Sequence, residues 1–239
     1  MVAFWQFAYH WHRRHAGERG QDGGSNFLDE ATLAILGLLL AFTFAAAYSK
    51  YDNRNAKIAE DAGFLRTFYY RCDLLPEQWR RELLPLARQS VEYRLELLKP
   101  DFGLEKFPAL DAKGRATEKQ TIEVIKRMNQ DKDAASLSGP VTDACLAAIS
   151  AHETRISAGK DHVPMPVVAL LVLVASISAF LLGRSQAYAG RTRRTTITLI
   201  VLVCAIIYVT MDLETPLSGL IQTDQSPILR LAEVIGIKP

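Results

Sequence analysis

The chain has 239 residues, with 28 Lys and Arg against 26 Asp and Glu for a net charge of +2, and it is 49% hydrophobic and 23% charged. A balance this close to neutral, with no basic stripe carrying interleaved aromatics, gives no ground for a nucleic-acid partner. The averages match an ordinary soluble domain, but the apolar residues are gathered into runs with the charges between them, and the distribution is what separates the classes.

Residues 1–28 open with Phe4, Trp5, Phe7, Tyr9 and Trp11 ahead of Arg13 and Arg14. Aromatics beside basic residues suit the headgroup region of a bilayer, and the stretch is too short to span one. Gly17 to Ser25 is glycine-rich and polar and reads as a linker. His10, His12 and His15 have the look of a metal cluster, but no carboxylate or cysteine ligand lies near them, which favours an interfacial or solvated role.

Residues 29–49 form a first span. Ala31 to Ser49 carries no charge, Asp29 and Glu30 precede it, and Lys50 follows. Acids at the start and a base after the end suit the helix dipole. The run is longer than the apolar core of a signal peptide and reads as a retained anchor, with a buried core helix as the alternative.

Residues 50–162 are a polar helical insert holding 19 Lys and Arg and 18 Asp and Glu. Tyr51, Ile58, Ala62, Leu65, Tyr69 and Cys72 recur at three- and four-residue spacing, so the first anchor is expected to continue as a helix to about Cys72. Leu74-Leu-Pro76-Glu77 is a turn that starts a second helix, whose stripe is Leu83, Leu84, Ala87, Val91, Leu95 and Leu98. Pro85 lies inside that stripe and is expected to kink it or move its start. Residues 101–116 read as a loop, Ala116 to Asp133 as a third helix, and Val141 to Ile156 as a fourth, opened by Ser138-Gly-Pro140. Arg80 and Arg81 with Glu77 and Glu82 look like solvated surface pairs, each worth little.

Residues 163–194 hold a second span and a basic loop, and residues 195–239 a third span and a tail. Val167 to Leu182 and Thr195 to Met211 are both free of charge, and between them stand Arg184, Arg191, Arg193 and Arg194 with no acid. A span needs roughly 20 apolar residues, and a helical hairpin satisfies its own backbone hydrogen bonds in lipid. The fold class expected is therefore all-α, an integral membrane protein with three transmembrane helices and a helical bundle inserted between the first and second. Arginines in short loops stay cytoplasmic, so the N-terminus and the hairpin loop are expected inside the plasma (inner) membrane, and residues 50–162 with the C-terminus outside.

No catalytic motif is present: there is no phosphate loop, no His-Glu-x-x-His, no Cys-x-x-Cys and no nucleophile elbow, and no cofactor signature. His152-Glu153 lacks the partner histidine and reads as a polar helix face. Cys72 and Cys145 can pair if the insert is extracytoplasmic, or remain two buried thiols, and Cys204 reads as a small packing residue in the last span. The last span ends in Asp212 and Glu214. Two carboxylates there can attract cations, hold a divalent ion, pair with insert bases, or mark where water begins, and the last reading is favoured because ionisable groups just past a span cost little. With the hydroxyls Thr43 and Ser49 they are the candidate pore or interface residues.

Three stretches resemble the bestrophin-like membrane protein family of bacteria. The first runs from Leu38-Leu-Leu-Ala-Phe-Thr-Phe44 through Ser49-Lys-Tyr-Asp52 to Ala59-Glu-Asp-Ala62. The second is Leu65-Arg-Thr-Phe-Tyr-Tyr-Arg71 with Asp73-Leu-Leu-Pro-Glu77 and Tyr93-Arg94-Leu95. The third is Asp212-Leu-Glu-Thr-Pro216 with Gly219, Ile221, Ser226 and Pro227. Family members usually carry an arginine before that proline, where this chain has Thr215, and many have a further span ahead of the first one here. The resemblance implies kinship with bestrophin anion channels, which assemble as pentamers around a pore, and hence a homo-oligomer in a lipid bilayer. The alternative is a membrane-anchored structural or sensory module whose helical domain binds a partner. The small-x-x-x-small pair Gly37 and Ala41 offers a helix contact face under either reading.

Overall fold

The computed structural model describes residues 5–7, 10–11, 24–98, 104–189, 193–215 and 219–238. Among them the secondary structure is helical throughout. The helices are α1 (Gly24–Asp73), α2 (Glu77–Glu96), α3 (Phe107–Gln130), α4 (Ala135–Lys160), α5 (Met165–Ala189), α6 (Arg193–Asp212) and α7 (Ser226–Val234), with a 3-10 turn at Leu104–Lys106. The chain divides into two compact units: residues 1–51 with 161–222, and residues 52–160 with 223–239. The first is called the apolar unit below, the second the polar unit.

The apolar unit contains α1 as far as Tyr51, together with α5 and α6. Its interior is thin. Leu36 and Leu40 of α1 meet Leu171, Ala175 and Val203, and Trp5 is buried against Ala179 and Ile200. The N-terminal aromatic segment therefore contributes a core residue to the hairpin, although Phe7 and Trp11 stack on each other at 5.7 Å and stay exposed. Outward, the unit presents Phe42, Leu173 and Val201, which are 64%, 56% and 60% exposed. Two helical stretches, within Asp29–Asp73 and Ser136–Arg184, are long and apolar enough to cross a membrane, and Thr196–Asp212 is a shorter apolar helix. Surfaces this apolar are not left to water in monomeric proteins.

Hydroxyls on these helices are turned back onto their own backbone. Thr43, Ser176, Ser178 and Thr210 donate to the carbonyls of Leu39, Val172, Val174 and Ile206, four residues earlier in each case, at 2.7–2.9 Å. One end of the unit is tied by Arg184 to the buried Asp29 at 3.3 Å, the other by Lys50 to Asp161 at 2.5 Å.

The polar unit has a conventional interior. Leu65, Leu83, Val91, Met128 and Ile228 are essentially inaccessible and come from four different helices. In this unit α3 packs against both α2 and α4, and α7 against α2. The Tyr93 ring is pressed on α3 at Gly114, where a Cβ would lie 3.0 Å from it. Trp79 donates its indole N–H to Asp131 at 3.2 Å, and Arg71 donates to the carbonyl of Pro140. Cys72 and Cys145 are buried and unbridged, and burial pushes both thiols up to about 12.

Several expectations from the sequence need correction. The helix to about Cys72 exists and ends at Asp73, and Pro76 caps α2, which starts at Glu77 and continues past Pro85 without interruption to Glu96. Residues 101–116 are not all loop, because α3 begins at Phe107 with Pro108 in its first turn, where the missing N–H needs no partner. Helix α4 starts at Ala135 and contains Pro140. The basic loop is largely helix: α5 continues through Arg184 to Ala189 and α6 begins at Arg193. Arg191, and the side chains of Arg193 and Arg194, lie outside the described residues, as do His12 and His15. Cys204 is exposed rather than packed.

Candidate functional site

Two clusters of buried polar groups stand out, one in each unit. In the apolar unit, the end of α6 is organised by its two carboxylates. Asp212 accepts the backbone N–H of Leu220 at 3.0 Å and of Ile221 at 2.8 Å, one on each oxygen. Gly219 stands against it with φ of +143°, and a Cβ there would sit 2.6 Å from Asp212 Oδ1. Only glycine meets both demands at low cost. Glu214 accepts the N–H of Val163 at 2.8 Å and lies 3.3 Å from the His162 ring, and its Oε1 is buried with no hydrogen-bond partner among the described residues. Thr215 donates to the Asp212 carbonyl at 2.9 Å.

Both acids are therefore buried and committed to backbone groups. Of the hydroxyls singled out with them, Thr43 is buried and bonded to its own helix, and Ser49 is exposed. The sequence brought Asp212 and Glu214 to notice, but not their partner His162, which has no helical or motif spacing to them.

The polar unit holds the more concentrated cluster. Asp61 of α1 is completely inaccessible. Arg94 of α2 reaches it with Nε and Nη2 at 3.0–3.1 Å, and Arg155 of α4 with Nη1 at 3.1 Å. The remaining donors are also used: Arg94 Nη1 meets the Ser90 carbonyl at 3.0 Å, and Arg155 Nη2 meets Gln225 Oε1 at 3.2 Å. His152, read from sequence as a polar helix face, is buried instead. Its Nε2 is 3.3 Å from the Tyr93 hydroxyl and its Nδ1 is 3.6 Å from Asp61 Oδ2.

Burial alone would raise the Asp61 carboxyl, but Arg94, with hydrogen bonds from His152 and Arg94, overrides it and holds the group well below the usual carboxylate range. Burial lowers His152, and the charges of Arg94 and Arg155 push the same way against the pull of Asp61, so the ring is neutral at neutral pH. Within the cluster itself one carboxylate faces two guanidiniums. Buried ion pairs are weak sources of stability but strong constraints once formed, because removing one member strands the others. Asp61 and Arg94 come from two of the three stretches that carry the family resemblance, so those motifs meet in space as an ion pair.

A sequence model described as the bestrophin-like domain matches residues 3–228. The chain belongs to the bestrophin-like family. Its fold is similar to the crystal structure of a bacterial bestrophin homologue from Klebsiella pneumoniae, at 13% identity and a TM-score of 0.67, covering 100% of this chain and 97% of that one. It is also similar to a crystal structure of a glycine-to-alanine form of a membrane protein, at 15% identity and a TM-score of 0.64, again covering 100% and 97%. No curated protein matches the chain. The family and the two long apolar helices mark it as a membrane protein.

Proposed function

We propose that the chain is the subunit of an oligomeric, anion-conducting membrane channel. The observation that carries this reading is the family match over residues 3–228, supported by a bestrophin-homologue fold across the whole chain. The exposed apolar faces of α1, α5 and α6 add to it, since they need lipid or neighbouring subunits to cover them. Within this reading residues 29–49, 163–189 and 195–212 are the spans, the arginine end of the hairpin is cytoplasmic, and residues 50–162 and the C-terminus lie outside. Ser49 is the exposed polar candidate for a wall or subunit contact. Thr43 bonds its own helix, and Asp212 and Glu214 hold backbone groups after the end of α6 and before the start of α5.

Reconstitution in a planar bilayer under a potassium chloride gradient tests the proposal. Currents reversing near the chloride potential, and changed in amplitude or selectivity by Ser49→Glu, are expected. Silence at high protein load would put the anchored-module reading ahead. A periplasm-dependent reporter fused at Asp111 tests the orientation separately: it should be active, and activity of a cytoplasmic reporter alone would invert the topology.

A further inference from the structure

The cluster around Asp61 contains one group whose charge is undecided by covalent chemistry alone. Its arginines are always charged and Asp61 is held ionised, so a proton arriving on mild acidification goes to His152. The geometry provides for both states of the ring. In the neutral ring one nitrogen carries the proton, and Tyr93 can donate its O–H to Nε2. When the second proton adds, the Tyr93 bond reverses, with Nε2–H donating to the hydroxyl oxygen, while Nδ1–H points toward Asp61 Oδ2.

That oxygen is already in use. Arg155 Nη1 holds Asp61 Oδ2 at 3.1 Å, and His152 Nδ1 stands 3.6 Å from the same atom. Nδ1–H faces that acceptor in both states, and the added charge strengthens its claim on Oδ2 against Arg155 and puts a further positive charge into a buried site. Arg155 in turn holds Gln225, the residue that caps α7, and Gln225 donates to Thr223 at 2.9 Å. Helix α7 is seated in the core by Ile228, Leu231 and Ala232, which are 0–3% exposed.

We propose that His152 is a buried proton-binding site whose occupancy loosens Arg155 from Asp61 and Gln225, and so frees the C-terminal helix α7 in acid. The groups facing the ring set the sign. Asp61 on α1 favours the proton, while Arg94 on α2 and Arg155 on α4 oppose it, and Tyr93 supplies a neutral acceptor. On α3, Glu118 is raised by burial, so its charge costs stability at neutral pH and its protonation works in the opposite direction. A histidine lower in the folded state than in the unfolded one contributes stability that is complete above the unfolded value, about 6.5, and is lost as pH falls toward the folded one.

The test is hydrogen exchange on the full-length protein in lipid nanodiscs, with intrinsic exchange chemistry subtracted. Between pH 7.5 and 5, exchange in residues 226–234 is expected to rise several-fold, with the rise setting in below about pH 6.5. In His152→Gln, which keeps a neutral polar side chain, the rise should vanish. An equal rise in that variant would overturn the proposal. Should the variant fail to fold, a carbon-13 NMR titration of the wild-type His152 ring decides: a midpoint below 6.5 supports the site, and one at or above 6.5 overturns it.

Discussion

The two units use the same helix in opposite ways. In the apolar unit the large exposed side chains include Phe42, Leu173 and Val201, while Asp212 is buried and Thr43 is bonded to its own backbone. In the polar unit Glu77, Arg81 and Arg115 are outside, and the interior is mainly apolar and aromatic, with its charges concentrated around Asp61. The lesson is that outward polarity reports the solvent, whereas buried polarity reports specification. Both units bury carboxylates, but Asp212 and Glu214 hold backbone N–H groups, while Asp61 holds side-chain charges.

That difference ranks the consequences of breaking each. Asp61→Asn leaves Arg94 and Arg155 facing each other without a counter-charge, and should cost about 3–5 kcal/mol. Loss of the polar-unit transition in a thermal melt, with new proteolytic cleavage between residues 52 and 160, would show it. A small shift instead would mean that the arginines find other acceptors. Leu173→Lys probes the opposite environment, where a charge in mid-span costs about 2.5–3.5 kcal/mol against insertion. A glycosylation-reporter assay should show α5 failing to insert efficiently, and full insertion would argue that this face meets protein or water. Gly219→Ala is the gentlest of the three, at about 1–3 kcal/mol for the strained backbone. It should lower the melting temperature of the apolar unit.

Much of this architecture was legible because it rests on local pattern. Charge-free runs at Ala31 to Ser49, Val167 to Leu182 and Thr195 to Met211 identify apolar helices without any knowledge of their partners, and Pro76 marks the break between α1 and α2. Helix starts near Phe107 and Ala135 were harder to see, since Gly114 and Pro140 look like breakers. Gly114 is tolerated because the Tyr93 ring fills the space a side chain would need. The charged cluster escaped notice because its members lie 33 and 94 residues apart in sequence and each resembles a surface charge alone. A signal did exist: Asp61 sits three after Ile58 and four before Leu65, and Arg94 three after Val91, so both fall on the apolar stripes of their helices. His152 likewise follows Ala148 by four. A charge in phase with a buried stripe is the pattern that was missed, and His162 offers no such pattern at all.

The back-bonded hydroxyls of the apolar unit carry a last consequence. A Ser or Thr side chain that shares the carbonyl four residues earlier weakens the backbone bond already there and bends the helix at that turn. Thr43, Ser176, Ser178 and Thr210 therefore mark turns of α1, α5 and α6 where a carbonyl is shared between backbone and side chain. Compliance in these helices comes from hydroxyls written into apolar sequence, with no proline needed between Asp29 and Asp73 or between Val167 and Asp212 to supply it.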